Sequence, residues 1–319
     1  MQVFFFEAFA EEDVALRHFC RGRFAADYSW CSIQEWGSSQ RPPAPIISIR
    51  TQSAIPAAWA AHLQGILSRS TGYDHLLHYQ KAHKPCPALA YLPLYCHRAV
   101  AEQAFCLCMA LLRKLPKQIR QFKQFQRDNL SGMEIQGKNL LVLGVGNIGS
   151  EIVNIGRGLG MQVRGVDPLQ KCPGLEYGSF EENAAWADIV MLAMNLNETN
   201  QAYFNQEKIN MLKPGAMLIN VARGEFTPLD VMAEAINNGQ LGALGLDVYE
   251  DETSLGPALR SETTLSLNTH LQALMKSEQV IMTPHNAFNT IEAVQRKAEQ
   301  SVQQIEAFLK NGRFIWQLP

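Results

Sequence analysis

The stretch "KNLLVLGVGNIGSEIVNIGRGLG", residues 138–160, decides the fold. Its apolar run "LLVLG" is typical of a buried strand, and the residues after the last "GNIG" follow a helical pattern. Between the two, Gly144, Gly146 and Gly149 have the spacing G-x-G-x-x-G. A strand, a glycine-rich turn and a helix in this order predict the first βαβ unit of a dinucleotide-binding sheet.

Each of these glycines has a physical role in such a turn. Gly144 allows a tight turn, Gly146 lets the backbone approach a pyrophosphate, and Gly149 lets helix and strand pack closely. The helix N-terminus then stabilises the phosphate charge. A glycine-rich turn in a Rossmann-like domain that binds nothing has the same spacing, so the glycines alone do not establish a nucleotide site.

An acidic residue follows the glycines at the sequence spacing that is typical of a nucleotide site. Asp167 closes the next predicted strand, 18 positions after Gly149, and its carboxylate can accept hydrogen bonds from both ribose hydroxyls while repelling a 2′-phosphate. No arginine comes directly after it in "DPLQKC". The sequence therefore favours NAD over NADP, and Lys171 leaves the use of both coenzymes open.

Working outward, apolar runs of the same kind recur along the chain and alternate with helical patterns. Several are apolar throughout, as expected for parallel strands that are covered on both faces. The predicted strands are residues 3–6, 46–49, 140–144, 162–167, 188–194, 217–222, 243–249 and 280–283. This alternation predicts an α/β protein with doubly wound, mainly parallel sheets.

Two long helical patterns frame the middle of the chain. The first covers residues 98–122, and Pro116 is expected to interrupt it, because proline removes a helical hydrogen bond. The second covers residues 290–312 and ends at Gly312, with Lys310 in its last turn. We interpret both as the crossings between two domains.

The crossings define the predicted domains. Residues 1–98 plus 289–319 form a substrate (catalytic) domain, and residues 99–288 form the dinucleotide-binding domain. The segment 253–277 has the least pattern in the chain, and we expect it to be irregular.

The composition narrows the class of protein. The chain has 319 residues, 47% of them hydrophobic and 18% charged, with a net charge of −2. Nucleic acid and anionic membranes need a basic face, so neither is expected as a partner. The start "MQVFFFEAFAEED" has no basic region before its apolar residues and predicts no signal peptide. Seven cysteines without a metal-like array favour a reducing cytoplasm and no metal site.

Four further polar residues lie at or after the ends of predicted strands, where open α/β sheets bind ligands. Arg223 comes after "MLINVA", Asp247 and Glu252 lie in "GLDVYEDE", and His285 lies in "MTPHNAF". An arginine there can bind a carboxylate with two hydrogen bonds. A carboxylate beside an imidazole holds its tautomer and favours its protonated form, so that the ring can deliver a proton.

With these residues the chain resembles the D-isomer-specific 2-hydroxyacid dehydrogenases, and most of all their D-lactate dehydrogenase branch. The resemblance covers nearly the full length. The segments that carry it are "SRSTGYDHL" (68–76), "AVAEQAFCLCMALLRKL" (99–115), "LLVLGVGNIGSEI" (140–152), "KPGAMLINVARGEF" (213–226), "GALGLDVYEDE" (242–252) and "MTPHNAF" (282–288).

The resemblance implies two Rossmann-like domains, each with a mainly parallel sheet, an active site in the cleft between them, and a homodimer built on the cofactor domains. It implies that Arg223 binds the substrate carboxylate and carbonyl, that Glu252 pairs with His285, and that His285 is the acid/base. The loop "RSTGYD" offers the backbone N–H groups of Thr71 and Gly72 to the substrate carboxylate.

The predicted site is therefore a set of catalytic, cofactor-binding and substrate-binding residues. The catalytic residues are Arg223, Glu252 and His285. Those assigned to the cofactor are Gly144, Gly146, Asn147, Ile148, Gly149, Asp167 and Asp247. Those assigned to the substrate are Arg50, Thr71, Gly72, Tyr95 and Arg223.

Some positions depart from the family pattern. Tyr95 matches a tyrosine of the lactate-like branch, whereas Arg98 and Gln103 replace a common asparagine and a common histidine. "AMNLNET" (193–199) stands where "HxPLT" is usual. Arg50 is either a substrate contact or a surface ion pair. These departures leave the side chain of the substrate open.

The predicted reaction is the NAD-dependent reduction of a 2-oxo acid, pyruvate or a close analogue, to the D-2-hydroxy acid. Two alternatives remain. A non-catalytic sensor or corepressor on this fold would bind NAD(H) to set its conformation for a protein partner. A second enzyme class would oxidise an anion such as phosphite.

Overall fold

The computed structural model describes residues 2–37, 40–260 and 268–318, and the chain divides into two compact units. The first unit, called the N-terminal unit below, runs up to Cys96 and includes the chain from Asn289 onward. The second, called the nucleotide unit, runs from His97 to Phe288. The division falls two residues before the predicted crossing at residue 98. None of the described helices combines the length and the apolar composition that a membrane span requires.

The described residues form short strands that alternate with helices. The strands are β1 (Val3–Phe5), β2 (Ala26–Tyr28), β3 (Ile46–Ile49), β4 (Gly65–Ser68), β5 (Ala88–Ala90), β6 (Asn139–Leu143), β7 (Gln162–Val166), β8 (Glu176–Tyr177), β9 (Ile189–Leu192), β10 (Ala216–Asn220), β11 (Leu241–Leu246) and β12 (Val280–Met282). The helices are α1 (Ala10–Cys20), α2 (Ile33–Trp36), α3 (Asp74–Ala82), α4 (His97–Leu112), α5 (Leu115–Phe122), α6 (Asn147–Gly158), α7 (Phe180–Asn183), α8 (Gln206–Met211), α9 (Leu229–Asn237), α10 (Glu252–Arg260), α11 (Thr269–Lys276) and α12 (Ile291–Asn311).

The N-terminal unit contains a five-stranded sheet in the order β2-β1-β3-β4-β5, and every neighbouring pair is parallel. The strand order reverses between β1 and β3. In open parallel sheets the carboxyl ends of strands at such a reversal are the place where ligands bind. Glu7 comes just after β1 and Arg50 just after β3, so both lie at this point.

The nucleotide unit contains a seven-stranded parallel sheet in the order β12-β11-β10-β9-β6-β7-β8. The strand order of this sheet reverses between β6 and β9. The central strands are buried on both faces, which explains their unbroken apolar runs: Leu141, Val190, Leu218 and Leu244 are each 0% exposed. Burial of such side chains contributes about 1.5–3 kcal/mol each.

The predicted α/β class with two mainly parallel sheets is confirmed. All eight predicted strands are present, and their ends differ from the predicted ones by at most three residues. Four short strands, β2, β4, β5 and β8, were not predicted. They have two to four residues each, too few for a periodicity to be recognised before neighbouring strands pair with them.

The helix predicted over residues 98–122 is present as α4 and α5, which are separated at Lys114 (φ 52°) just before Pro116. The helix predicted over residues 290–312 is α12, and Gly312 (φ 69°) ends it in the left-handed conformation.

The expectation that residues 253–277 are irregular was wrong for the described part of that segment. Helix α10 covers its first residues and α11 covers its last ones; the stretch 261–267 lies outside the described residues. Asn268 caps α11 by accepting a hydrogen bond from the His270 N–H, and Leu271 and Leu274 are buried. An N-cap residue followed by two apolar residues three positions apart is a helix signal, and this segment of the sequence contains it.

A buried ionic group joins α1, β4 and α12 in the N-terminal unit. The guanidinium of Arg69 donates from Nε to Glu12 Oε1 at 2.8 Å, and Lys297 Nζ lies 2.8 Å from the same oxygen. All three side chains are 0% exposed. Arg69 also donates to Ser48 Oγ and to the Phe6 carbonyl oxygen. We call Glu12, Arg69 and Lys297 the buried triad.

The two titratable members of the buried triad respond in opposite ways to their surroundings. Burial by itself raises the pKa of Glu12, but Arg69 and Lys297 outweigh it and lower that pKa to about 2. Burial lowers the pKa of Lys297 to about 7; Glu12 opposes this effect, and the charges of Arg50 and Arg69 add to it. The lysine is therefore the costly member of the group.

We expect Lys297→Met to stabilise the protein at neutral pH, because an apolar side chain replaces a buried cation. The unfolded chain, with a lysine pKa near 10.5, binds more protons than the folded one between about pH 7 and pH 10.5. The wild-type free energy of unfolding should therefore rise with pH across that window, and the variant should lack this rise.

Urea unfolding of both proteins from pH 7 to pH 10 measures the difference. Lys310→Met, which removes an exposed lysine of the same helix, is the control and should keep the wild-type pH dependence. A stability difference between wild type and Lys297→Met that does not change with pH contradicts the argument.

Candidate active site

The glycine-rich turn between β6 and α6 tolerates no side chain at two of its three glycines. Gly144 has φ +86°, and a Cβ there would lie 2.5 Å from the Met194 Cα at the end of the neighbouring strand. A Cβ on Gly149 would lie 1.9 Å from the Gly144 carbonyl oxygen. A Cβ on Gly146 would meet nothing within 4 Å. The turn is therefore closely packed at Gly144 and Gly149 and open at Gly146, where a ligand needs room.

Helix α6 begins directly at this open position. Gly146 is its N-cap and has no side chain to cap the helix, whose first residues are Asn147, Ile148 and Gly149. The N–H groups of a first helical turn have no partner within the helix, and the helix dipole favours an anion there. The turn therefore fits the pyrophosphate of a dinucleotide.

Asp167 is connected to the same turn by hydrogen bonds. Its Oδ2 accepts from the Val145 N–H at 2.7 Å and its Oδ1 from the Leu169 N–H at 2.8 Å. A carboxylate has about four lone-pair sites, so this half-buried side chain keeps capacity for ribose hydroxyls. Lys171 is exposed.

Asp247, at the end of β11, is fully buried. Its Oδ1 accepts from Thr283 Oγ1 at 2.5 Å and from the Asn286 N–H at 2.9 Å, and its Oδ2 accepts from the Ala287 N–H at 2.8 Å. Burial raises the pKa of Asp247, and these hydrogen bonds oppose that effect. All of these partners belong to the turn that contains His285.

The hydrogen bonds of Asp247 hold the turn after β12. Its predicted contact with the cofactor stays a prediction. The turn needs such support, because His285 has φ +50° and donates its N–H to the Thr283 carbonyl oxygen at 2.9 Å. Left-handed backbone at a non-glycine residue costs free energy and persists where the surroundings enforce it.

Glu252 and His285 form the predicted pair. Oε2 of Glu252, the first residue of α10, lies 2.6 Å from His285 Nδ1, and its Oε1 accepts from the Tyr249 N–H at 3.0 Å. The side chains of Glu252 and His285 are 23% and 32% exposed, so both remain reachable from solvent. In the tautomer that donates Nδ1–H to the carboxylate, Nε2 is the ring nitrogen that can contact a ligand.

Arg223 lies just after β10 in extended backbone, at the start of a short 3-10 turn over Gly224–Phe226. The buried Asn220 shapes this loop: its Nδ2 donates to the Arg223 carbonyl oxygen at 2.8 Å and to Thr227 Oγ1 at 2.9 Å. The Arg223 side chain is half-buried and donates from Nη1 to the Ala222 carbonyl oxygen. The arginine thus leaves the same sheet edge as Asp247.

Gly224 brings the arginine loop against the segment that leads to Glu252. A Cβ at this position would lie 1.9 Å from the Tyr249 carbonyl carbon and 2.5 Å from the Glu250 nitrogen. The Tyr249 hydroxyl in turn lies within hydrogen-bond distance of the Leu246 and Thr283 carbonyl oxygens. The three loops that carry Arg223, Glu252 and His285 are therefore packed on one another.

The remaining predicted residues lie in the N-terminal unit. Thr71 and Gly72 come after β4 and are half-buried, and Thr71 Oγ1 lies 3.3 Å from Cys96 Sγ. Arg50 is half-buried at the end of β3. Tyr95 is only 4% exposed, and burial raises its pKa well above the ordinary value. That these residues and those of the nucleotide unit face one substrate stays a prediction.

Residues that the sequence did not single out hold the site in place. Asn220, Gly224, Tyr249 and Thr283 lie in the quoted segments, yet nothing in their spacing marked them, because their partners are distant along the chain. Arg98 binds Glu102 and Glu151 in exposed ion pairs of the nucleotide unit.

Comparisons with known proteins point to one family. Residues 105–287 match the model of the D-isomer specific 2-hydroxyacid dehydrogenase NAD binding domain. 2-Hydroxyacid dehydrogenase A of Aspergillus oryzae is 31% identical over 260 residues, which are 80% of this chain and 74% of that protein. D-lactate dehydrogenase of Escherichia coli is 29% identical over 220 residues, 67% of either chain.

A solved structure is similar over the whole chain. The crystal structure of D-lactate dehydrogenase from Aquifex aeolicus, complexed with NAD and lactic acid, superposes with a TM-score of 0.86 at 26% identity. The match covers 98% of this chain and 99% of that one.

We expect Gly224→Ala to damage the site because its Cβ would overlap backbone atoms, which cannot move aside as a flexible side chain does. The melting temperature should fall by several degrees and kcat/KM should fall by at least tenfold. Gly158→Ala is the matched control: its Cβ meets nothing within 4 Å in helix α6, and alanine favours a helix. Equal behaviour of the two variants contradicts the predicted close contact.

Proposed function

The chain belongs to the D-isomer-specific 2-hydroxyacid dehydrogenase family and carries its NAD binding domain, and we propose that it reduces a 2-oxo acid to the D-2-hydroxy acid with His285 as the acid. The observation that supports this proposal most directly is the 2.6 Å contact between Glu252 and His285, in the unit that also contains the glycine-rich turn. Pyruvate and its close analogues are the first substrates to consider, since relatives bear the name D-lactate dehydrogenase.

The proposed reaction assigns one task to each side chain. When bound, the dihydronicotinamide of NADH supplies a hydride to C2 of the 2-oxo acid. His285, protonated at both ring nitrogens, transfers the Nε2 proton to the carbonyl oxygen and becomes neutral. Glu252 accepts from Nδ1–H and stabilises the charged ring before that transfer.

Arg223 has the second task, because negative charge develops on the carbonyl oxygen as the hydride arrives. A guanidinium can bind the substrate carboxylate and polarise the carbonyl group at the same time. The backbone N–H groups of Thr71 and Gly72 are proposed as further donors to that carboxylate. In this proposal the N-terminal unit is the substrate domain.

The coenzyme is expected to be held by the open turn at Gly146, the first turn of α6 and the carboxylate of Asp167. The placement of that carboxylate supports a preference for NAD, because it would repel a 2′-phosphate. We also assign Asp247 a positioning role, because its hydrogen bonds hold the turn that contains His285.

The predicted homodimer and cytoplasmic location also remain proposals. On α5 and the residue stretch after it, Ile119, Phe122 and Phe125 are 64%, 74% and 68% exposed, and an apolar surface of this kind supports association with a second copy. A sedimentation mass of one chain would contradict the dimer. The seven free cysteines support a reducing compartment.

We expect His285→Ala to abolish turnover and to leave NADH binding intact, because the ring is proposed to donate a proton and not to bind the coenzyme. Glu252→Gln should lower kcat, because it replaces the carboxylate that lies 2.6 Å from His285 Nδ1. The assay follows NADH oxidation with pyruvate, phenylpyruvate, hydroxypyruvate, glyoxylate and 2-oxoglutarate. Silence of the wild type on all five, with tight NADH binding, favours the sensor or corepressor instead.

Arg223→Gln should lower kcat/KM on the best 2-oxo acid about tenfold to hundredfold, because a charge-assisted contact contributes roughly 1.5–3 kcal/mol. Arg98→Gln is the control, since it removes an exposed arginine of the same unit that makes surface ion pairs. Unchanged kinetics of Arg223→Gln would refute the substrate-binding role.

A further inference from the structure

A continuous series of hydrogen bonds in the N-terminal unit ends at the loop that is proposed to bind the substrate carboxylate. Nε2 of His75, in the first turn of α3, lies 2.9 Å from Ser68 Oγ at the end of β4. Ser68 Oγ lies 2.6 Å from Ser70 Oγ, and Ser70 Oγ donates to the Gly72 carbonyl oxygen at 2.7 Å. We call His75, Ser68 and Ser70 the loop relay.

A serine beside a histidine can be a nucleophile with its base, but the burial of Ser68 argues against that role. Ser68 is 0% exposed, so the carbon atom of a substrate does not reach its hydroxyl oxygen. That oxygen instead contacts the hydroxyl of Ser70, which is itself buried. The contact between His75 and Ser68 is therefore better explained by the group at the far end of the loop relay, the Gly72 carbonyl.

The number of protons fixes the direction of every hydrogen bond in the loop relay. A serine hydroxyl has one proton to donate, whereas a carbonyl oxygen can only accept. Ser70 donates its proton to Gly72, so the contact between the two serines requires Ser68 to be the donor. Ser68 has then used its own proton, and its contact with His75 requires Nε2–H to be the donor. The loop relay thus assigns a proton to Nε2 of His75.

This donor decides which way the two hydroxyls point. Buried polar groups are rarely left without a hydrogen bond, and both serines are buried. If position 75 had no donor, the Ser68 oxygen could accept from Ser70 instead. The hydrogen bond between the serines would then reverse, and the Gly72 carbonyl would lose its donor. His75 excludes this reversed arrangement because its Nε2–H already occupies the Ser68 oxygen.

The hydrogen bond to Gly72 lies where the loop needs it. The chain just before Gly72 has its own anchors: the Ser70 carbonyl oxygen accepts from the Leu92 N–H at 3.0 Å, and Thr71 Oγ1 lies 3.3 Å from Cys96 Sγ. Gly72 has no side chain for a similar contact, and glycine loses more conformational freedom on ordering than any other residue. The carbonyl held by Ser70 therefore limits how the backbone turns at Gly72.

We propose that His75 is a positioning residue for the substrate. Its Nε2–H orders the hydroxyls of Ser68 and Ser70, and the Gly72 carbonyl held in this way keeps the N–H groups of Thr71 and Gly72 directed at the substrate carboxylate. The inference rests on the proposed function and adds to its substrate site a residue that does not touch the substrate.

Steady-state kinetics of three variants on the best 2-oxo acid test this role. His75→Leu should raise KM about twofold to tenfold, the range of one hydrogen bond between uncharged groups. It should leave kcat nearly unchanged, because the carboxylate is bound alike in the ground state and the transition state. His75→Gln should restore the wild-type KM, because its amide can donate from near the position of Nε2. His78→Leu, which removes an exposed histidine of the same helix, is the control.

A merely structural role predicts a different pattern. An equal rise of KM in His75→Leu and His75→Gln, or a rise in neither, overturns the inference. A fall of kcat in His75→Leu with unchanged KM also overturns it, since His75 would then affect the reaction step and not the binding of the carboxylate.

A double variant tests whether His75 acts through Ser70. Ser70→Ala removes the hydroxyl that holds Gly72 and should raise KM at least as much as His75→Leu does. Because both act on the same carbonyl, the double variant should have the KM of Ser70→Ala alone. Effects that multiply in the double variant would show that His75 acts on the loop by another route and would overturn the inference.

Nitrogen-15 spectra of the histidine rings test the direction of the loop relay in the wild-type protein. The His75 signals are assigned by their absence from the spectrum of His75→Gln. At a pH where the ring is neutral, the proton should lie on Nε2. A neutral ring with its proton on Nδ1 would make Nε2 an acceptor, reverse the loop relay and overturn the inference.

A binding measurement distinguishes this inference from the proposed reaction. Oxamate resembles a 2-oxo acid but is not reduced, and calorimetric titration of the NADH-saturated protein gives its Kd without turnover. Inactivity on every 2-oxo acid, together with weaker oxamate binding in His75→Leu than in His75→Gln, refutes the reaction and supports the positioning role. Turnover together with equal oxamate binding in the wild type and His75→Leu supports the reaction and overturns the positioning role. A wild type that neither turns over nor binds oxamate overturns both.

Discussion

The buried carboxylate of Asp247 is the interaction on which the candidate site depends. A carboxylate without exposed surface must find hydrogen-bond donors inside the protein, and Asp247 finds them in Thr283, Asn286 and Ala287. These donors lie on both sides of His285, so satisfying the carboxylate also forces the turn into its left-handed conformation. Loss of the carboxylate would remove the support for this turn and the orientation of the imidazole together.

The same physical rule orders the other loops around the histidine. The buried Asn220 uses its amide to hold the Arg223 loop, and Gly224 allows that loop to lie against the chain at Tyr249. Glu252 accepts the Tyr249 backbone N–H at Oε1 and contacts His285 through Oε2. In the N-terminal unit the buried carboxylate of Glu12 meets the same requirement through Arg69 and Lys297.

Much of this could be predicted from local features of the chain. The strand before Gly144, the helix after it and the end of α12 at Gly312 are set by runs and turn residues that act over a few positions. The short strands at sheet edges and helix α11 could not be recognised in the same way, because pairing with neighbours and the burial of Leu271 and Leu274 stabilise them. The pairing of Glu252 with His285 was implied by resemblance and was not evident from spacing, since 33 positions separate them.

By itself the sequence determined the α/β class, the glycine-rich turn and the strand ends at which Arg223, Glu252 and His285 lie, because periodicity and glycine spacing are local properties. Only the tertiary structure decided what each polar group does there. It buried Asp247 and so made it a support for the turn, and it brought Lys297 from the last helix beside Glu12 and the Phe9 ring. Burial and charge balance depend on which distant segments meet, and a linear pattern does not contain that information.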